Sequence, residues 1–167
     1  MGFNSCFDII GPIMVGPSSS HTAGAVSIGR FVYEWLGGVP DWTEIMLYGS
    51  FADTYQGHGT DKAIVGGLLG MEAASHSIRE SKRYSIKEGL VVKMNPRTDI
   101  GWEGHPNTVH IHANRSGYFT AIEGVSIGGG LSEIRSINGE AVCIDIPADS
   151  NIKQIADTYK SRLAGRL

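Results

Sequence analysis

The chain has 167 residues, of which 41% are apolar and 19% charged, with a net charge of −3 and a pI near 6.0. That is enough material for one real core in an ordinary globular composition. No dense basic run points to a nucleic-acid surface, and the uncharged stretch 9–26 is too broken by Gly, Pro and Ser to span a membrane.

Residues 3–10 predict a short apolar helical turn. The Gly-Pro-bracketed stretch 11–17 reads as an ordered connector, because Ile13, Met14 and Val15 want burial. Ser18, Ser19, Ser20, His21 and Thr22 then open an apolar-periodic run, which predicts a first long helix over roughly 20–37 ended by Gly37-Gly38. Hydroxyls at a helix start lie beside unpaired backbone N–H groups, where a carboxylate or phosphate is attracted. A plain N-cap among solvated serines explains the same residues.

Glu44–Tyr48 reads as a strand closed by Gly49. A polar loop follows, in which Gly57 and Gly59 flank His58 and free its backbone. A surface histidine in a flexible glycine loop is the plainer reading. Thr60 or Asp61 caps the next helix, 62 to about 69. Residues 71–88 are charged and mixed and predict a surface helix or irregular connection, with His76 solvated. Leu90–Met94 is a strand, and 95–108 a loop that holds Trp102, His105, Asn107 and Thr108.

Thr108–Ala113 alternates, with Val109, Ile111 and Ala113 on one face and His110 and His112 on the other. His-x-His on a strand suits a metal, yet the solvent face of an antiparallel strand accounts for it more simply. Arg115-Ser116-Gly117 turns the chain into a return strand, Tyr118–Ile122, with a bulge expected at Glu123-Gly124. After Ser126, the glycines Gly128, Gly129 and Gly130 either let backbone amides approach a ligand or turn a hairpin. Leu131–Ile137, Asn138-Gly139 and Ala141–Ile146 form a second hairpin, and a last amphipathic helix covers about 150–164. Hairpin strands with a few long helices predict an α+β fold: an antiparallel or mixed sheet with helices packed mainly on one face, in a single domain over 1–167.

Three stretches share one composition: Ser18 to Thr22, His58-Gly59-Thr60-Asp61, and His105-Pro106-Asn107-Thr108. If they meet, they form a polar pocket of hydroxyls and imidazoles without lysine or arginine. Such a pocket suits a small zwitterion, with hydroxyls and helix N-termini for its carboxylate and imidazoles and Asp61 for its amine. A neutral histidine there can act as a general base. Ser-His-Asp hydrolysis is the rival chemistry, but no Gly-x-Ser-x-Gly elbow is present. Cys6 and Cys143, the only cysteines, lack CxxC spacing and cannot hold zinc or an iron–sulfur cluster alone, so no metal is expected on this chain. With no secretory leader pattern, a cytoplasmic setting with free thiols is expected.

Gly16-Pro17-Ser18-Ser19-Ser20-His21-Thr22 resembles the signature of the iron–sulfur L-serine dehydratases. The resemblance continues through Tyr48-Gly49-Ser50-Phe51, Gly57-His58-Gly59-Thr60-Asp61, His105-Pro106-Asn107-Thr108 and Ser126 to Gly130, in order over roughly 3–140. The chain is similar to the beta subunit of the two-subunit form, whose fold resembles the allosteric substrate-binding domain of some phosphoglycerate dehydrogenases. The resemblance implies an alpha subunit carrying the cysteines of a [4Fe–4S] cluster, and turnover of L-serine to pyruvate and ammonia. The cluster would bind the substrate hydroxyl as a Lewis acid, so that water leaves after a base takes the α-proton. His58 is the first choice for that base and His21 the second. Ser18, Ser19, Ser20, Thr22, Thr60, Asp61, His105, Asn107, Thr108, Gly128 and Gly129 would hold substrate. A homodimer of beta chains or a higher heteromer is expected. Beta subunits of this type usually continue into an ACT domain, and none is expected within 141–167. A non-catalytic module that senses serine or a small anion is the alternative.

Overall fold

In a computed structural model of the protein, residues 18, 20–98 and 101–164 are described. The expected turn over 3–10, the connector 11–17, Cys6 and Ser19 lie outside the described residues. A π-helical turn, Ser20–Gly24, leads into helix α1, Ala25–Leu36. Its Ile28, Phe31, Val32 and Trp35 recur at helical spacing and bury one broad face. It stops at Gly37, whose φ of 74° is left-handed and whose N–H bonds back to Glu34.

Strand β1 (Trp42–Tyr48) is followed by helices α2 (Ser50–His58) and α3 (Thr60–Leu68). A 3₁₀ turn (His76–Glu80) and helix α4 (Ser81–Lys87) lead to β2 (Val91–Pro96). Strands β3 (Thr108–Arg115), β4 (Tyr118–Gly128), β5 (Leu131–Ile137) and β6 (Glu140–Ile146) then run through tight turns to helix α5 (Ile152–Ala164). The strand order is β2-β1-β3-β4-β5-β6. β1 and β2 pair in parallel, as their helical crossover requires, and every other pair is antiparallel. The fold is therefore α+β around one open, mixed sheet.

One face of that sheet, with Ile45, Leu47, Val109, Ile111, Ile122 and Ile134, joins α1 and α3 in a single buried core. The other face is more polar: Glu44 pairs with Lys93 at 2.8 Å, and His110 and His112 stand beside them. α1 and α3 cross with their backbones in contact. A Cβ on Gly29 would overlap the Ile64 carbonyl, and one on Gly67 the Val26 carbonyl. No described helix is long and apolar enough to cross a membrane.

Two expectations need correction at the element level. α3 starts at Thr60 with Gly59 at its N-cap and no side-chain cap hydrogen bond, so neither Thr60 nor Asp61 caps it. Residues 50–58 are helix α2, not a glycine loop, and His58 is its last residue. The short helix buries Phe51 and Ala52, carries Asp53 in its first turn, and is closed by Gly59 at φ 71°. Gly59 thus serves as a left-handed cap, while Gly57 is simply helical. The bulge at Glu123-Gly124 is present, as are the turns at Ser116-Gly117 and Asn138-Gly139.

Candidate active site

Tyr48, Thr108, Val125 and Glu133 lie in one cross-strand row, so the end of β1, the start of β3, the end of β4 and the start of β5 meet at the same edge of the sheet. The π-helical turn sits on that edge. A Cβ on Gly24 would overlap the Ser126 hydroxyl, so the turn presses directly on β4. π-turns gather at functional sites.

His21, within that turn, is held from several sides. Its Nδ1 lies 3.2 Å from Ser18 Oγ and its Nε2 3.2 Å from Ser50 Oγ. Phe51 packs edge-on at 5.2 Å between ring centroids, and His58 at 4.7 Å with the rings nearly perpendicular. α2 therefore spans the imidazole, touching it with its first two residues and its last. His58 Nδ1 is buried with no hydrogen-bond partner. Ser18 also caps the turn: its carbonyl accepts from Thr22 N–H at 2.9 Å and its hydroxyl from His21 N–H at 3.4 Å. Capping and contact with His21 are thus carried by the same serine.

The loop before β3 closes the arrangement. His105 O accepts from Trp102 Nε1 at 2.8 Å and from Thr108 Oγ1 at 2.7 Å, while His105 Nδ1 accepts from Asn107 N–H at 3.1 Å. Pro106 O accepts from Phe51 N–H at 3.2 Å, at the start of α2. Asn107 bonds Ser126 twice, its O accepting from Ser126 N–H at 3.0 Å and its Nδ2 donating to Ser126 O at 3.3 Å. The contacts form a closed circuit, from His21 to Ser50, Phe51 to Pro106, Asn107 to Ser126, and Ser126 back to the turn at Gly24. The three stretches singled out in the sequence do converge.

Not every candidate faces the same way. Asp61 is buried, but its carboxylate pairs with Lys82 and accepts from Lys62 N–H at 2.8 Å, so it is tied up at the start of α3. Thr22 and Thr60 are buried with hydroxyls that have no partner, as is Ser126. Gly128 and Gly129, with φ of 120° and 61°, turn the β4–β5 hairpin, and a Cβ on either would meet nothing. Ser20 begins the π-helical turn. Lys82 pairs with Asp61, and the charge of Arg135 acts on His105. Ser50 and Ser126 were missed as site residues. The signal for Ser50 was its place directly after Gly49 at a strand-to-helix turn.

Burial holds the His21 imidazole below the usual histidine range, His58 lowers it further, and the Ser50 backbone opposes both. His105 is lowered by burial first and by Arg135 second, against Glu133. Among the described residues no three His, Cys, Asp or Glu stand together as a metal set. Cys143 is exposed, with Glu133 Oε1 at 3.9 Å.

These features define an α+β domain with a histidine–hydroxyl cluster at one sheet edge. The family described as the serine dehydratase beta chain matches residues 5–134, and the chain belongs to it. It is 43% identical over 139 residues, 83% of its length, to the probable L-serine dehydratase beta chain of Bacillus subtilis. Identity and extent are the same against the L-serine dehydratase beta chain of Peptoniphilus asaccharolyticus. Against L-serine dehydratase 1 of Escherichia coli it is 33% identical over 125 residues, 66% of this chain and 27% of that protein. The chain spans 62% of the length of the two beta chains.

Proposed function

We propose that this chain is the beta subunit of an iron–sulfur L-serine dehydratase and supplies one wall of its active site. The observation that carries this reading is the His21–His58 pair, in edge contact at 4.7 Å, with His58 Nδ1 buried and unpartnered. An unpartnered imidazole nitrogen beside a second, burial-lowered imidazole is suited to take a proton from carbon. His58 removes the α-proton of L-serine, the electron pair forms the Cα–Cβ double bond as the C–O bond breaks, and the proton taken up by His58 passes to the departing β-hydroxyl, which leaves as water. The resulting aminoacrylate hydrolyses to pyruvate and ammonia without further help. Ser18, Ser19, Ser20, Thr22, Thr60, Asn107 and Thr108 hold the substrate's polar groups. Asp61 acts at one remove, through Lys82 and the start of α3. Gly128 and Gly129 shape the hairpin beside the site.

A [4Fe–4S] cluster takes about four thiolates, and two cysteines at 6 and 143 do not fit that set. In this reading the cluster belongs to an alpha partner, and the histidines that move the proton belong to this chain. The likeness to the allosteric substrate-binding domain of phosphoglycerate dehydrogenases is part of the same reading, supported by the open α+β sheet. A beta-chain dimer or a larger heteromer is its assembly.

The test is reconstitution. The chain is combined with the alpha subunit, iron and sulfide without oxygen, and pyruvate is measured after adding L-serine. Turnover that needs both chains supports the reading. Tight serine binding by this chain alone, with no turnover in the mixture, favours the sensing module instead.

A further inference from the structure

His21 is gripped at both ring nitrogens by hydroxyls from different parts of the chain. Ser18 Oγ approaches Nδ1 and Ser50 Oγ approaches Nε2, each at 3.2 Å. A neutral imidazole has one N–H donor and one acceptor nitrogen, so the two serines must play opposite roles. Ser50 is also the first residue of α2, the helix whose last residue is His58. It is fixed in turn: its carbonyl accepts from Thr54 Oγ1 at 2.7 Å, and Phe51 N–H next to it bonds Pro106 O. The hydroxyl at Nε2 is therefore set by the same rigid element that sets the second imidazole.

We propose that Ser50 is a positioning residue, which fixes the tautomer and ring orientation of His21 against His58 and so keeps the imidazole pair ready for proton transfer. The inference rests on the serine dehydratase reading for the reaction, but its structural half stands apart from it. Ser50 acts through the ring of His21, which its hydroxyl touches. Without its hydroxyl, Nε2 loses one partner and the ring samples a second tautomer or rotates away from His58.

The test compares Ser50→Ala and Ser50→Thr with wild type, in the full chain and in the enzyme assembled with its alpha partner. Long-range proton–nitrogen spectra of the full chain report the His21 ring nitrogens directly. Wild type and Ser50→Thr should show one defined tautomer, and Ser50→Ala a mixture or a switch. In the assembled enzyme Ser50→Ala should lower kcat about tenfold, the worth of one neutral hydrogen bond, with KM little changed and Thr restoring the rate. An unchanged His21 ring signal in Ser50→Ala overturns the proposal, and so does an altered ring with unchanged kcat. A wild-type assembly that makes no pyruvate defeats the serine dehydratase reading instead, while the ring spectra still decide what Ser50 does.

Discussion

His58 does lie against His21, but not for the reason its neighbours in the sequence offer. Its flanking glycines suggested a mobile loop, yet it ends a helix, and Gly59 is there to cap that helix at φ 71°. What singles His58 out is the buried, partnerless Nδ1 beside His21, a property of packing that no local pattern shows. If His58 takes the α-proton, His58→Ala lowers kcat by about 10²–10⁴ in the assembled enzyme. The thermal midpoint should barely move, because the side chain is only half-buried and forms no hydrogen bond at that nitrogen. His58→Asn is the sharper variant, since it keeps a polar side chain that cannot accept a proton near neutral pH. Near wild-type kcat in His58→Asn would transfer the role of base to His21 or to the partner. Thr22→Ala belongs to the same scale. If Thr22 holds substrate, its loss raises KM roughly ten- to hundredfold, as for a lost hydrogen bond to a charged group. A fall in melting temperature with KM unchanged would make it a packing residue only.

At the scale of elements, the crossing of α1 and α3 places the most exacting demand on sequence. Gly29→Ala and Gly67→Ala each drive a methyl into the opposing backbone, which cannot step aside as a side chain can. Each should cost about 1–3 kcal/mol or more in urea unfolding. Gly57→Ala is the internal control: it lies inside α2 with nothing within 4 Å of a new Cβ. It should stabilise the chain by about 0.5–1 kcal/mol. Equal losses at all three positions would refute the close crossing. The same contrast explains what sequence reveals. Asn138-Gly139 and Ser116-Gly117 were legible because a two-residue turn with both residues at positive φ has few solutions, and here φ is 52° and 85° in one and 52° and 84° in the other. β3 was legible because Val109, Ile111 and Ala113 alternate with His110 and His112 and all three are buried. α2 was not, because its buried side is only Phe51 and Ala52 and its last turn reads Gly-His-Gly. Nor does local pattern contain the parallel pairing of β1 with β2, which rests on contacts made after three intervening helices. The convergence of the polar stretches depends on that pairing and on the sheet register, so the sequence could offer its members but not their arrangement.

For the molecule as a whole, three histidines spread over the fold set its response to acid. His21, His105 and His110 are all lowered from the ordinary value of 6.5, each by burial before any charge. Glu123 partly offsets the effect at His110, while His112 adds to it. In the unfolded chain these groups bind protons as the pH falls through 6.5, but the native fold resists until a lower pH. Between those limits the unfolded state holds more protons than the native one. Stability is therefore constant above the unfolded value and declines as pH drops below 6.5 towards the folded values. Glu44, lowered first by its bond to Lys93, adds a separate loss only below its own unfolded value of 4.5. Urea midpoints measured across both ranges should show an early decline, well before carboxylates titrate, and His110→Gln should flatten that first decline whatever it does to absolute stability. A flat profile from neutral pH down to the carboxylate range would mean that the native fold binds protons at these histidines as readily as the open chain does. His21 would then protonate in the native fold as readily as in the open chain, and its burial against Phe51 and His58 would carry no penalty for the charged ring.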